Sequence, residues 1–217
     1  MRRFVKDFLL PMAVAVALAF VIQAAVAKPY EIPTESMVPT IQANDRIIAN
    51  RLIYRVRDIE RGDIIVFDPP LAATRTCGDA GGGNVPFVKR VIGLPGDMVE
   101  VRADGTTLVN GEPFVVEKAL RPNYRMEFPR VPADSLLVLG DNRPGSCDSH
   151  QWRDVDGTPA PFVPQDAVIG QAEITYWGTN GAGVPSTSRH WWESQLPGRL
   201  SPSTSSESAG TSGNSIR

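Results

Sequence analysis

Thr106-Thr107-Leu108-Val109-Asn110-Gly111-Glu112-Pro113-Phe114-Val115-Val116-Glu117 is the stretch on which the fold turns. Two short runs, Thr106–Val109 and Pro113–Glu117, flank Asn110-Gly111, and both turn residues tolerate positive φ. This pattern predicts a tight β-hairpin. Asp104-Gly105 predicts another turn just upstream. Working outward, short Val- and Ile-rich runs bounded by turn residues recur at Asp45–Ala49, Leu52–Arg57, Asp63–Phe67, Phe87–Gly93, Met98–Arg102, Leu136–Gly140 and Val168–Trp177. Each is read as a strand. With 19 Gly and 19 Pro in 217 residues, the composition suits short strands joined by turns. No helical period of useful length is visible after residue 28. Residues 69–86, with Gly81-Gly82-Gly83, read as a long loop between two strands. The predicted class is mainly β, an antiparallel β-sheet domain behind one N-terminal transmembrane helix.

That helix is read from Phe8 to Ala27, twenty consecutive positions without a charge. At about 1.5 Å per residue it reaches about 30 Å, the thickness of a bilayer's hydrocarbon core. Arg2, Arg3 and Lys6 precede it, so the positive-inside rule keeps residues 1–7 in the cytoplasm and sends the rest across. A cleavable export signal is the competing reading, because Ala25-Val26-Ala27 has the small-residue cleavage pattern. The length of the apolar stretch favours the anchor. Either way the body of the protein, residues 28–185, lies outside the cytoplasm. Residues 186–217 read as a Ser-rich disordered tail: seven of the last seventeen residues are Ser and almost none are apolar.

A formal net charge of -2 carries no electrostatic signature of nucleic-acid binding. The two histidines, His150 and His190, and the two cysteines, Cys77 and Cys147, have no metal-ligand spacing. No metal or cofactor is expected. The exported compartment permits a Cys77–Cys147 disulfide, with two free buried thiols as the alternative.

Three segments carry chemistry. Ser36 lies between Pro33 and Pro39, on a segment too stiff for helix and only nine residues past Ala27. Fully extended, those residues span at most about 30 Å, so Ser36 works close to the bilayer surface. Lys89 sits in Phe87-Val88-Lys89-Arg90-Val91-Ile92-Gly93, a strand apolar around it. A lysine desolvated there loses pKa; a fall of about two units, at a cost of roughly 2.7 kcal/mol, makes a usable base. The alternative is an outward lysine guarding a sheet edge. The third segment, Gly140-Asp141-Asn142-Arg143-Pro144-Gly145-Ser146-Cys147-Asp148-Ser149, packs polar side chains into one turn. It reads as an orienting network, a solvated loop or a cation site.

Together these segments resemble signal peptidase I, the Ser-Lys leader peptidase family. The resemblance rests on Ile32–Ile41, on Arg61-Gly62-Asp63-Ile64-Ile65-Val66-Phe67, on Phe87–Asp97 (FVKRVIGLPGD), and on Gly140-Asp141-Asn142-Arg143 followed by Ser146 and Asp148-Ser149. It implies that Ser36 attacks a scissile carbonyl and Lys89 takes its proton. It implies an oxyanion hole from the Ser36 N–H and the Thr34 hydroxyl. Ser146, with Asp148, Asp141 and Arg143, would orient the lysine and its surroundings. Tyr30, Ile32, Met37, Ile41, Val66, Phe87 and Val88 would wall shallow pockets selecting Ala-x-Ala sites. One departure stands out: His150 occupies the position where relatives carry an arginine beside Asp148, which puts that ion pair in doubt. The implied partners are the signal peptides of secreted preproteins, membrane lipid and the secretion machinery. The implied location is the plasma membrane; His150 and the cysteine pair are similar to the cyanobacterial and plastid branch, which adds the thylakoid membrane. The rival readings are a different Ser-Lys hydrolase, such as a self-cleaving repressor relative or a penicillin-binding enzyme, and a non-enzymatic membrane-tethered β-domain. A helix-turn-helix would mark the first and a helical Ser-x-x-Lys the second; neither occurs.

Overall fold

A computed structural model describes residue 9 and residues 11–16, 27–78 and 85–177. Residues 11–16 are helical, and most of the expected span lies outside the described residues. Among the described residues no helix is long and apolar enough to cross a membrane. Residues 1–8 and the Ser-rich tail also lie outside them.

Eleven strands run through the described residues: β1 (Ala27–Glu31), β2 (Arg46–Asn50), β3 (Ile64–Phe67), β4 (Phe87–Gly93), β5 (Val99–Val101), β6 (Thr107–Val109), β7 (Glu112–Pro113), β8 (Met126–Glu127), β9 (Ser135–Leu139), β10 (Phe162–Pro164) and β11 (Val168–Trp177). Seven form an antiparallel sheet in the order β1-β2-β11-β3-β4-β9-β10. The other four form a smaller antiparallel sheet, β7-β6-β5-β8. The antiparallel β class expected from the sequence is the class observed.

The opening hairpin is β6 and β7. Asn110 (φ 54°) and Gly111 (φ 86°) take the two left-handed positions that a tight hairpin turn requires. Strand β7 is shorter than Pro113–Glu117 because pairing to β6 ends at Pro113. Three expectations are corrected. Ala27 does not end a helix; it opens β1, paired to Asn50. Leu52–Arg57 is not a strand: the Asn50 side chain accepts the N–H groups of Leu52 and Ile53, which turns the chain into a 3-10 helix at Ile53–Arg55. The segment 69–86 is not loop throughout, since Leu71–Cys77 is a short α-helix. Strands β1, β8 and β10 add to those expected.

Three buried clusters hold the sheets. One lies around Ile32, Met37, Ile41, Ile47, Ile64, Val66 and Val88. A second packs Phe67, Val91, Leu136 and Val163 about the fully buried Trp152. A third, around Ile92, Val99, Val109 and Leu139, joins the two sheets. Asp63 ties strand ends together: it accepts from Arg57, Tyr54 and Gln171. A disulfide joins Cys77 to Cys147, so the thiol alternative falls. It fastens the short helix to the turn after β9.

Candidate active site

Strand β4 is interior, flanked by β3 and β9, and its residues from Val88 onward are all buried. Lys89 therefore cannot be an edge lysine; it is 4% exposed. Its Nζ donates to Ser36 Oγ at 2.8 Å and to the Val88 carbonyl at 3.1 Å. The Phe87 ring lies beside the amine, 5.5 Å from centroid to Nζ. Burial pulls the amine down from its ordinary value of 10.5 to about 8, against the opposing field of Asp148. A substantial fraction of the amine is thus neutral at mildly alkaline pH, and a neutral amine accepts a proton.

Ser36 is 7% exposed, on a run of turns between Pro33 and Ile41. The Val38 N–H bonds the Glu35 carbonyl and the Ile41 N–H bonds that of Met37, closing the turns. Asn142 clamps this segment from the other side. Its backbone N–H donates to the Ser36 carbonyl at 3.0 Å, and its side-chain amide donates to the Glu35 carbonyl at 3.1 Å. The Thr34 hydroxyl donates to Ser36 Oγ at 3.2 Å. The nucleophile candidate thus receives two hydrogen bonds at its hydroxyl, while Asn142 pins its carbonyl and that of Glu35 before it.

Behind the pair lies a polar network, which the structure arranges differently from the expectation that it orients the lysine. Asp141 grips Arg90, with Oδ1 accepting Nε–H at 2.7 Å, and also accepts from Thr40. Arg90 in turn donates to the Gly62 carbonyl. Asp148 accepts the Gly140 N–H at 2.7 Å and pairs with His150 Nδ1 at 2.7 Å. His150 is thus the side-chain partner of Asp148, and its ring stacks on Tyr124 at 4.0 Å. Arg143 bonds Thr107, not the lysine. Among the described residues the Ser146 hydroxyl is buried without a partner, so no bond joins it to Lys89.

A cavity of about 160 Å³ opens beside Ser36 and Lys89, walled by Thr34, Pro86, Phe87 and the Cys77–Cys147 bridge. Of the expected pocket residues, only Phe87 lines it. Ile32, Met37, Ile41, Val66 and Val88 pack against one another beneath, with Tyr30 at their margin. Sequence reading missed three contributors. Asn142 acts through backbone carbonyls, which leave no side-chain signature. Thr40 meets Asp141 from a hundred and one residues away. Gly140 is required by space: a Cβ there would overlap Ser146 Oγ and the Ser36 carbonyl.

A serine hydroxyl held against a desolvated lysine amine, in an antiparallel β domain, is an arrangement suited to serine hydrolase chemistry. Comparison with known proteins identifies the family: residues 5–177 match the one described as signal peptidase, peptidase S26. The chain belongs to that family, and it is a serine endopeptidase. It is 42% identical to a signal peptidase I of Leptolyngbya laminosa, over 78% of each chain. It is 38% identical to a probable chloroplastic thylakoidal processing peptidase of Arabidopsis thaliana, over 75% of this chain and 41% of that one. A crystal structure of a signal peptidase I from Enterococcus faecalis is 30% identical with a TM-score of 0.39, over 53% of this chain and 97% of that one.

Proposed function

We propose that this chain removes signal peptides from exported preproteins after Ala-x-Ala sites, with Ser36 as nucleophile and Lys89 as general base. The observation that carries the reading is the 2.8 Å bond between the buried Lys89 amine and Ser36 Oγ. The neutral amine takes the Ser36 proton as Oγ attacks the scissile carbonyl. The ammonium then passes that proton to the departing amine, leaving an acyl-enzyme. Water, deprotonated by the same amine, attacks the ester and frees Ser36. The Ser36 N–H and the Thr34 hydroxyl, turned from Ser36 Oγ, hold the oxyanion. Asp148, through the Gly140 N–H, and Asp141, through Arg90 and Thr40, brace the turn that carries Asn142.

Small-residue preference follows from exclusion. The cavity beside Ser36 is closed by Phe87 and the disulfide, and the packed layer of Tyr30, Ile32, Met37, Ile41, Val66 and Val88 beneath gives little room for a bulky side chain. The apolar stretch from Phe8 to Val26 anchors the enzyme as a single span with its N-terminus in the cytoplasm, so that Ser36 meets substrates at the membrane surface. The membrane is the plasma membrane or, by likeness to the thylakoidal relatives, a thylakoid; partners are lipid and the secretion machinery.

The test is cleavage of a preprotein bearing an Ala-x-Ala site. Wild-type enzyme releases the signal peptide, whereas Ser36→Ala and Lys89→Ala do not, with circular dichroism unchanged. Normal turnover by either variant refutes the assignment.

A further inference from the structure

Arg143 is a buried cation that the chemistry above leaves unexplained. It is 3% exposed, yet among the described residues its guanidinium makes one hydrogen bond, Nη1 to Thr107 Oγ1 at 2.9 Å, and its Nε is buried without a partner. The neighbouring carboxylates are committed elsewhere, Asp141 to Arg90 and Asp148 to His150. Burial pushes the guanidinium down from its ordinary value, against the fields of Tyr124, Asp148 and Asp141. A desolvated ion without a paired partner is costly, and a guanidinium presents a rigid fork of donors suited to two acceptor oxygens.

Arg143 also lines a cavity of about 240 Å³ beside the smaller sheet, distinct from the one at Ser36. Thr107 and Phe114 form further walls, and Arg121 and Asp104 stand in the lining. Both are exposed. Asp104 already accepts the Thr106 N–H, and water screens its charge, so Arg143 dominates the buried end of the cavity.

We propose that this cavity binds a small oxyanion of the phosphate class, held by the Arg143 guanidinium with Arg121 closing on it from the rim. The shared chemistry is a phosphate group, whether free or on a lipid headgroup. Arg143 directly follows Asn142, whose amide groups clamp the Ser36 segment. An anion on Arg143 therefore steadies the turn that positions the nucleophile.

Thermal unfolding of the full chain in detergent tests this, with inorganic phosphate titrated at constant ionic strength. Wild-type protein should show a Tm that keeps rising with the logarithm of phosphate concentration above the site's Kd. Arg143→Met, which replaces a buried charge with an apolar side chain of similar length, should lose that rise. Arg121→Ala should need about five-fold more phosphate for the same shift in Tm, the loss of one exposed charged contact. If Arg143→Met does not fold, Arg121→Ala decides alone. An identical phosphate response in wild type and Arg121→Ala, or a rise that survives in Arg143→Met, overturns the proposal. Glycerol 3-phosphate, run in parallel, separates the sources: binding at least as tight as inorganic phosphate assigns a headgroup, and weaker binding assigns the free anion.

Discussion

The burial that would make Lys89 a usable base for Ser36 destabilises the fold. Its amine ionises near 8 when folded and near 10.5 when exposed. The unfolded chain therefore holds the proton more tightly between those values, and stability rises with pH through that window. Below pH 8 the full penalty applies, about 3 kcal/mol for a shift of this size. Lys89→Met should accordingly gain up to about 3 kcal/mol at pH 7 in urea unfolding, lose the gain towards pH 10.5, and cleave nothing. An unchanged or lowered stability at neutral pH would count against a desolvated amine. Gly140→Ala should fail in the opposite way. Its Cβ displaces the Ser36 carbonyl or Ser146, so kcat/KM should fall by about 100-fold, with an overpacking loss of about 1–3 kcal/mol in chemical denaturation.

At the scale of elements, what matters is which strands and turns hold the pair in place. Strand β4 puts Lys89 in the sheet interior, while the turn after β9 brings Asn142 against the Ser36 segment. The disulfide fixes that turn to the helix at Leu71–Cys77 across 70 residues. Replacing both cysteines with alanine should cost about 4 kcal/mol if the bridge acts by restricting the unfolded chain, read as a shift in the denaturant midpoint. Asp141→Asn breaks a buried pair with Arg90, and a loss of about 3–5 kcal/mol is expected in the same measurement. Strand β4 was legible because apolar neighbours surround one lysine, and the β6–β7 hairpin because Asn-Gly announces its turn. Strand β1 was not: Ala27–Glu31 is an edge strand with polar residues and a proline, mostly turned to solvent. The helix at Leu71–Cys77 spans seven residues, too few to show a period.

For the whole molecule, two antiparallel sheets share a core, and the pair sits where the larger one meets the Pro33–Ile41 turns. Ser36 and Lys89 could be picked out through the family resemblance of the segments that carry them, and the structure brings them together. Their support could not, because Asn142 reaches carbonyls more than a hundred residues upstream and Gly140 matters only for what surrounds it. Pocket residues were legible as apolar but not as lining, since burial beneath a site and exposure within it leave the same sequence pattern. If Phe8–Val26 anchors the enzyme, deleting residues 1–26 should spare cleavage of a soluble peptide. It should lower cleavage of a membrane-inserted preprotein by about 100-fold, because shared tethering to one bilayer is lost. The central claim is that the Lys89 amine is the base for Ser36. It is tested most directly by following Lys89 with NMR across pH while measuring kcat/KM on the same samples. The account predicts one inflection near 8 in both, with activity falling below it. An amine titrating above about 10, with kcat/KM flat from about pH 5 to 9, would contradict it.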